Sequence, residues 1–153
     1  MLFQTAPVNK KTTKASPLIY VIHKHYASHL HYDLRLEEGG VLKSWALPKE
    51  PPQTPEQKRL AVQVDDHPLE YATFEGNIAE GEYGAGKVEI WDKGYYQLIA
   101  EDEKMKEILI KGLKLHGLYT LVRMKVQEKG QKNLWLFFKN KNQEKVRAEH
   151  EKD

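Results

Sequence analysis

Alternation of apolar and polar residues runs along most of this chain and predicts strands almost throughout. Leu30, Tyr32, Leu34 and Leu36 are separated by single polar residues, the period-two pattern of a strand with one face in a core. Leu18 to His25 is rich in β-branched and aromatic residues and predicts a preceding strand. Gly39-Gly40 marks a two-residue turn into a returning strand, Val41 to Leu47. Pro48, Pro51, Pro52 and Pro55 then force a loop. The next predicted strand is Leu60 to Val64, with Leu60, Val62 and Val64 toward the core and Asp65-Asp66-His67-Pro68 as the loop that closes it. Glycine-rich Glu80 to Gly86 feeds Val88 to Trp91, and Asp92-Lys93-Gly94 is expected to turn into Tyr95 to Ile99. Ile108 to Ile110 and Leu113 to Leu115 flank a Lys111-Gly112 turn, with Leu118 to Val126 and Leu134 to Phe138 beyond. Only Glu101 to Glu107 has a helical composition. Short strands at a spacing of about ten residues with glycine turns indicate an all-β fold, an antiparallel sandwich or barrel.

Composition narrows this picture. A length of 153 residues suits one domain, and three Trp, eight Tyr and four Phe argue against general disorder. Residues 1–17, with Pro7, Pro17 and three lysines, read as a flexible arm; 18–140 is the β domain, and 141–153 is a charged tail. The longest apolar runs are far too short to span a bilayer, and the N-terminus has no signal-peptide stretch, so a cytoplasmic protein without a membrane partner is expected. With no cysteine, any metal site must use histidine and carboxylate. The net charge of +2 calls for no polyanionic partner, but its distribution is uneven. No Asp or Glu precedes Asp33, while Lys10, Lys11, Lys14 and Lys24 do; four of seven histidines, His23, His25, His29 and His31, are clustered there.

The strand pattern gives that cluster a direction. If Tyr32, Leu34 and Leu36 face a core, then His29, His31, Asp33 and Arg35 share the other face. A helix would scatter them, with residues 29 and 31 about 200° apart at ~3.6 residues per turn. Two imidazoles and a carboxylate make a common open metal site, and a guanidinium beside it matches phosphate oxygens. His67 and Arg59 are further candidates for the same concavity; Lys49 and Tyr71 carry no signal by themselves. Two near-matches fail. Gly81 to Lys87 has phosphate-loop spacing, but Val88 stands where Ser or Thr is required and a strand follows instead of a helix. His29-x-His31 opens like a cupin motif, but Glu37 falls one residue late and Gly39-Gly40 follow too soon.

Lys24-His25, His29-Leu-His-Tyr-Asp-Leu-Arg35, Leu42-Lys-Ser-Trp-Ala46, Lys58-Arg-Leu-Ala-Val-Gln-Val64, Asp66-His-Pro68, Glu80-Gly-Glu-Tyr-Gly-Ala-Gly86 and Leu115-His-Gly117 together resemble the 3′-phosphoesterase module of bacterial and archaeal DNA ligase D systems. The resemblance covers residues 18–140. With no polymerase or ligase module in these residues, it is to a stand-alone form. It implies a compact antiparallel β-barrel with a polar crescent-shaped groove and little helix. It also implies a manganese-dependent enzyme that heals 3′ ends of DNA or DNA/RNA primer-templates. Such enzymes remove a 3′-terminal ribonucleoside and then the 3′-phosphate, leaving a 3′-OH for a ligase or polymerase, here expected as separate chains. Carried over by position, His25, His31 and Asp33 would hold the metal. His67, Arg35 and Tyr71 would contact the phosphate, and Lys49 and Arg59 would assist at the phosphomonoester step. His29 matches no family ligand and stays a supporting candidate. The family's Arg-Asp pair and Glu before the barrel have no counterpart in residues 1–17, so phosphate removal is the firmer expectation. Ala79 and Glu50 replace the usual Pro and Gly. The competing readings are a non-catalytic nucleic-acid-binding barrel and a cupin-like metalloenzyme acting on a small molecule.

Overall fold

The structure, a computed structural model, describes residues 17–125 and 133–143. Its strands are β1 (Leu18–Tyr26), β2 (Leu30–Glu38), β3 (Val41–Leu47), β4 (Lys58–Pro68), β5 (Gly76–Ile78), β6 (Gly86–Asp102), β7 (Met105–Gly112), β8 (His116–Arg123) and β9 (Leu134–Lys139). A single 3-10 turn, Leu69–Thr73, separates β4 from β5. Neighbours run antiparallel in the order β1-β2-β3-β4-β9-β8-β7-β6, and β6 pairs back onto β1, closing an eight-stranded barrel with β5 appended to β6. Closure removes the unpaired edges that an open sheet of this length would expose. Among the described residues no helix is long and apolar enough to cross a membrane.

The period-two reading of β2 holds. Tyr32, Leu34 and Leu36 are buried inside with Tyr20, Ile22, Trp45, Leu47, Tyr119 and Phe137, while His31, Asp33 and Arg35 lie on the outer face. Several local expectations are corrected, among them the Lys111-Gly112 turn, which is the end of strand β7. Ala61, not Leu60 or Val64, enters the core, and Leu60 is 39 % exposed. Ala61 stands directly opposite Trp135, whose indole packs edge-to-face on Trp45 at 5.8 Å; these two large rings fill the interior beside a small residue. The valines are left to the outer face, where Val62 pairs with Ala46 and Val64 with Ser44. The candidate helix at 101–107 is a hairpin, with Asp102 opposite Met105 and the Lys104 N–H donating to Asp102 Oδ1 at 2.8 Å. Aspartate holding the backbone two residues on is a turn device that needs no glycine.

Asp92-Lys93-Gly94 does not turn; all three lie inside the 17-residue β6, whose two ends serve different neighbours. Residues before Gly94 pair with β1, residues 94–96 pair with β1 on one side and β7 on the other, and the remainder pairs with β7 alone. Gly94 permits the close crossing, since a Cβ there would collide with the Lys111 carbonyl oxygen. Asp92 fastens the next turn. It is 2 % exposed and accepts the Leu113 and Lys114 N–H groups at 2.8 Å, the Leu115 N–H at 3.0 Å and the Tyr20 hydroxyl at 2.7 Å. Asp92→Asn keeps the shape but turns an –NH₂ toward donors. It is expected to lower stability by about 2–3 kcal/mol in urea unfolding. An unchanged midpoint would show that the turn does not depend on this carboxylate.

What positions the groove is the chain leaving β4. The 3-10 turn folds back over the outer face, and Ala72 packs with Val21 and Leu42 in a small second cluster flanked by Leu69 and Tyr71. At the C-terminal end of the described chain, Gln143 accepts the Leu118 N–H at 2.7 Å and donates to the Leu118 and Asn140 carbonyls. The arm expected over 1–17 and the tail over 141–153 otherwise lie outside the described residues.

Candidate metal and phosphate site

A cavity of about 880 Å³ opens on the outer face of β1–β4 between the 3-10 turn and the loop before β6. Antiparallel register builds its floor. His25 lies opposite His31, His23 opposite Asp33, and Arg35 opposite Ser44, so alternate residues of three neighbouring strands share one surface.

His25 Nδ1 and His31 Nε2 are 3.2 Å apart, and Asp33 Oδ2 is 3.7 Å from the first and 3.3 Å from the second. These three form the metal-competent cluster found among the described residues. Separations of that size fit one ion about 2.0–2.2 Å from each atom. Their outer partners point the same way. His25 Nε2 donates to the Gly84 carbonyl at 2.8 Å, and His31 Nδ1 donates to the His29 carbonyl at 3.1 Å. In a neutral imidazole with its outer nitrogen protonated, the inner nitrogen is a lone-pair donor for a cation; without a cation, an inner N–H is what the Asp33 carboxylate accepts from. His29 contributes through this carbonyl; its imidazole is exposed and does not line the cavity.

Asp33 is 6 % exposed. Burial alone would raise its carboxyl, but the hydrogen bonds with His25 and His31 and the Arg35 charge hold it well below the usual carboxylate range. Its hydrogen bond to His31 in turn raises that imidazole.

Arg35, 3 % exposed, is held on every side. Nε donates to His23 Nδ1 at 3.0 Å, Nη1 to Ser44 Oγ at 2.8 Å and toward His67 Nδ1 at 3.2 Å, and Nη2 to Asp33 Oδ2 at 3.4 Å. Its carbon centre lies 4.9 Å from the Tyr71 ring, which also packs against His23, His67 and Phe74. Ser44 passes the support on by donating to the Leu42 carbonyl at 3.1 Å. Burial, with the Arg35 charge beside it, drives the fully buried His23 imidazole down to about 4. His23 therefore stays neutral, donates from Nε2 to the Phe74 carbonyl at 3.1 Å, and offers Nδ1 to Arg35. Burial also lowers His67 and raises Tyr71.

The structure thus brings together six of the eight expected residues: His25, His31, Asp33, Arg35, His67 and Tyr71 all line the cavity. His67 does so from strand β4, not from a loop, because the strand continues to Pro68 and pairs His67 with Leu42. Lys49 and Arg59 do not line it. Lys49 is exposed beyond β3, and Arg59 donates from Nε to the carbonyl of adjacent Glu50 at 2.6 Å, so the two sit beside each other away from the floor. His23 and Ser44 were not anticipated. Alternation with His25 and with Ala46 was the signal available for each.

Comparison with known proteins gives the family. Residues 23–123 match the family described as the DNA Ligase D 3′-phosphoesterase domain. The chain is 45 % identical over 145 residues to the multifunctional non-homologous end joining protein LigD of Pseudomonas aeruginosa, covering 90 % of this chain and 17 % of that protein. It is 45 % identical over 141 residues to the LigD protein of Mycolicibacterium smegmatis, covering 85 % and 18 %. The DNA repair protein LigD of Mycobacterium tuberculosis is 46 % identical over 128 residues, covering 81 % and 16 %. The chain therefore spans less than a fifth of these relatives. Matched over most of its length by both comparisons, it belongs to the DNA ligase D 3′-phosphoesterase domain family.

Proposed function

We propose that the groove is a manganese-dependent 3′-phosphoesterase site that removes a terminal 3′-phosphate from a DNA primer strand, leaving a 3′-OH for end joining. The observation that carries this reading is the adjacency, on the paired strands β1 and β2, of a three-donor metal cluster and a buried, fully oriented guanidinium. Nitrogen and oxygen donors without sulfur suit Mn²⁺ among other divalent ions. When bound, the ion would supply a Lewis acid for a phosphoryl oxygen and a place to position water.

The chain's own groups do the rest. Arg35 presents fixed positive charge to the equatorial oxygens, where phosphoryl transfer gathers negative charge. Tyr71, whose hydroxyl has no partner among the described residues, would donate to the same phosphate. Water attacks phosphorus, the bond to the 3′ oxygen breaks, and that oxygen takes up a proton. His67 would serve the leaving oxygen. Its Nδ1 lies between Arg35 Nη1 at 3.2 Å and the Asp65 carbonyl at 3.1 Å, contacts that favour opposite tautomers. The Arg35 contact is charge-assisted and the guanidinium only donates, so it favours the form with its proton on Nε2. Lys49 and Arg59 keep their expected part in the phosphate step on the strength of the resemblance alone. Partner enzymes would be a ligase and a polymerase, since both consume a 3′-OH.

The expected result with purified protein is Mn²⁺-dependent release of phosphate from a 3′-phosphorylated primer. Slower trimming is expected for a primer ending in a single ribonucleotide, because residues 1–17 hold none of the family's acidic arm motif. No release with any divalent metal would overturn the reading. Equal rates on both ends would show that the acidic arm is dispensable.

A further inference from the structure

The loop between β5 and β6 carries a side chain that the phosphate chemistry does not use. Glu82 to Ala85 form a tight turn closed by the Ala85 N–H donating to the Glu82 carbonyl at 3.1 Å. Gly84, third in the turn, has φ +78°, the left-handed value a type II turn requires there and glycine adopts without strain. Tyr83 is therefore second, at the tip. It is 81 % exposed, the most of any large hydrophobic residue described.

This turn is pinned to the reacting centre. His25 Nε2 donates to the Gly84 carbonyl at 2.8 Å and reaches the Ala85 carbonyl at 3.2 Å. Gly86 approaches β1 so closely that a Cβ would collide with the Tyr26 carbonyl oxygen. The residue just before the two carbonyls that orient a metal-ligand imidazole thus holds an aromatic ring in water, on the wall of the same cavity. Scattered exposed aromatics need no explanation. One fixed at a turn tip, anchored to the centre that would hold a substrate's phosphate, has the placement of a stacking platform.

We infer that Tyr83 stacks on the nucleobase of the substrate's 3′-terminal nucleotide, an assignment that rests on the phosphoesterase reading of the groove. A phosphate seated among Arg35, His67 and Tyr71 leaves its nucleoside at the rim, where the turn stands. Every base has a π-face, so the contact accepts any terminal nucleotide, as healing of arbitrary ends requires. Because the turn is already fixed, little ordering is lost when the base arrives. The stack also separates a DNA end from free phosphate, which fills the polar pocket and leaves Tyr83 unused.

Fluorescence anisotropy tests this with oligonucleotides bearing a 3′-methylenephosphonate, whose bridging C–P bond resists hydrolysis. One ends in an ordinary nucleotide and the other in an abasic one. The wild-type protein is expected to bind the first about ten- to hundredfold more tightly, the range that one base–aromatic stack implies. Tyr83→Ala is expected to erase that preference and Tyr83→Phe to keep it. A preference that survives Tyr83→Ala, or is absent from the wild type, overturns the inference. So does an equal loss on both ends, which would mean that Tyr83 only shapes the loop. The phosphoesterase reading fails by a different sign, no phosphate released by the wild type, whatever the binding ratio.

Discussion

Asp33→Asn is expected to abolish Mn²⁺ binding and reduce phosphate release by a factor of about 10³ or more, roughly 4 kcal/mol of transition-state stabilisation. The carboxylate is the only anionic donor in the cluster, and it carries its charge because hydrogen bonds with His25 and His31 and the Arg35 charge favour the ionised form. An amide of the same shape presents one oxygen, no charge and an –NH₂ that cannot face His25 and His31 as an acceptor. The barrel should survive, since Asp33 lies on the outer face and Tyr32 and Leu34, its neighbours on β2, supply the core contacts. Isothermal titration with Mn²⁺ and a phosphate-release assay check the two halves, with a cooperative unfolding curve confirming the fold. Should Asn at this buried position prevent folding, His31→Ala at a partly exposed one serves the same purpose, losing a nitrogen donor and the metal with it. Full activity in either folded variant would remove the metal assignment.

What could be read before the structure, and what could not, follows from the range of each interaction. The outward set His31, Asp33, Arg35 was legible because strand alternation is local: Tyr32, Leu34 and Leu36 need an interior, and their neighbours must face away. The support of Arg35 was not. His23 meets it only through the register of β1 on β2, and Ser44 only through β3 on β2. A one-residue slip in either pairing would have sent those side chains to the opposite face, and no local pattern fixes the register. The facing of β4 failed for a related reason. Leu60, Val62 and Val64 look like an interior set until Trp45 and Trp135, distant in sequence, occupy the space beside Ala61. Asp92-Lys93-Gly94 has the composition of a turn; its use as a crossing point depends on Lys111, which no nearby residue announces. The exposed ring of Tyr83 was equally hidden, because a glycine-rich loop is placed by what it docks against.

That long-range support makes Arg35→Lys the sharper test of the phosphate site. Lysine keeps the charge, so if charge alone mattered the variant would be nearly silent. The geometry argues otherwise. One planar group here reaches His23, Ser44, His67 and Asp33 together, and lies over Tyr71. A single ammonium on a flexible stem cannot span those directions, and it would leave His23 Nδ1 buried without a donor. It would also release His67 Nδ1 to the Asp65 carbonyl alone, favouring the tautomer with no proton on Nε2. The expected result is a fall in kcat of about 10²–10³, comparable with loss of one preorganised oxyanion donor, about 2.7–4 kcal/mol. Mn²⁺ affinity should stay close to wild type, because His25, His31 and Asp33 are untouched. This separates the variant from Asp33→Asn, in which metal and activity are lost together. An undiminished kcat in Arg35→Lys would reduce the guanidinium to a simple counter-charge, and a joint loss of Mn²⁺ affinity would make Arg35 chiefly a brace for Asp33.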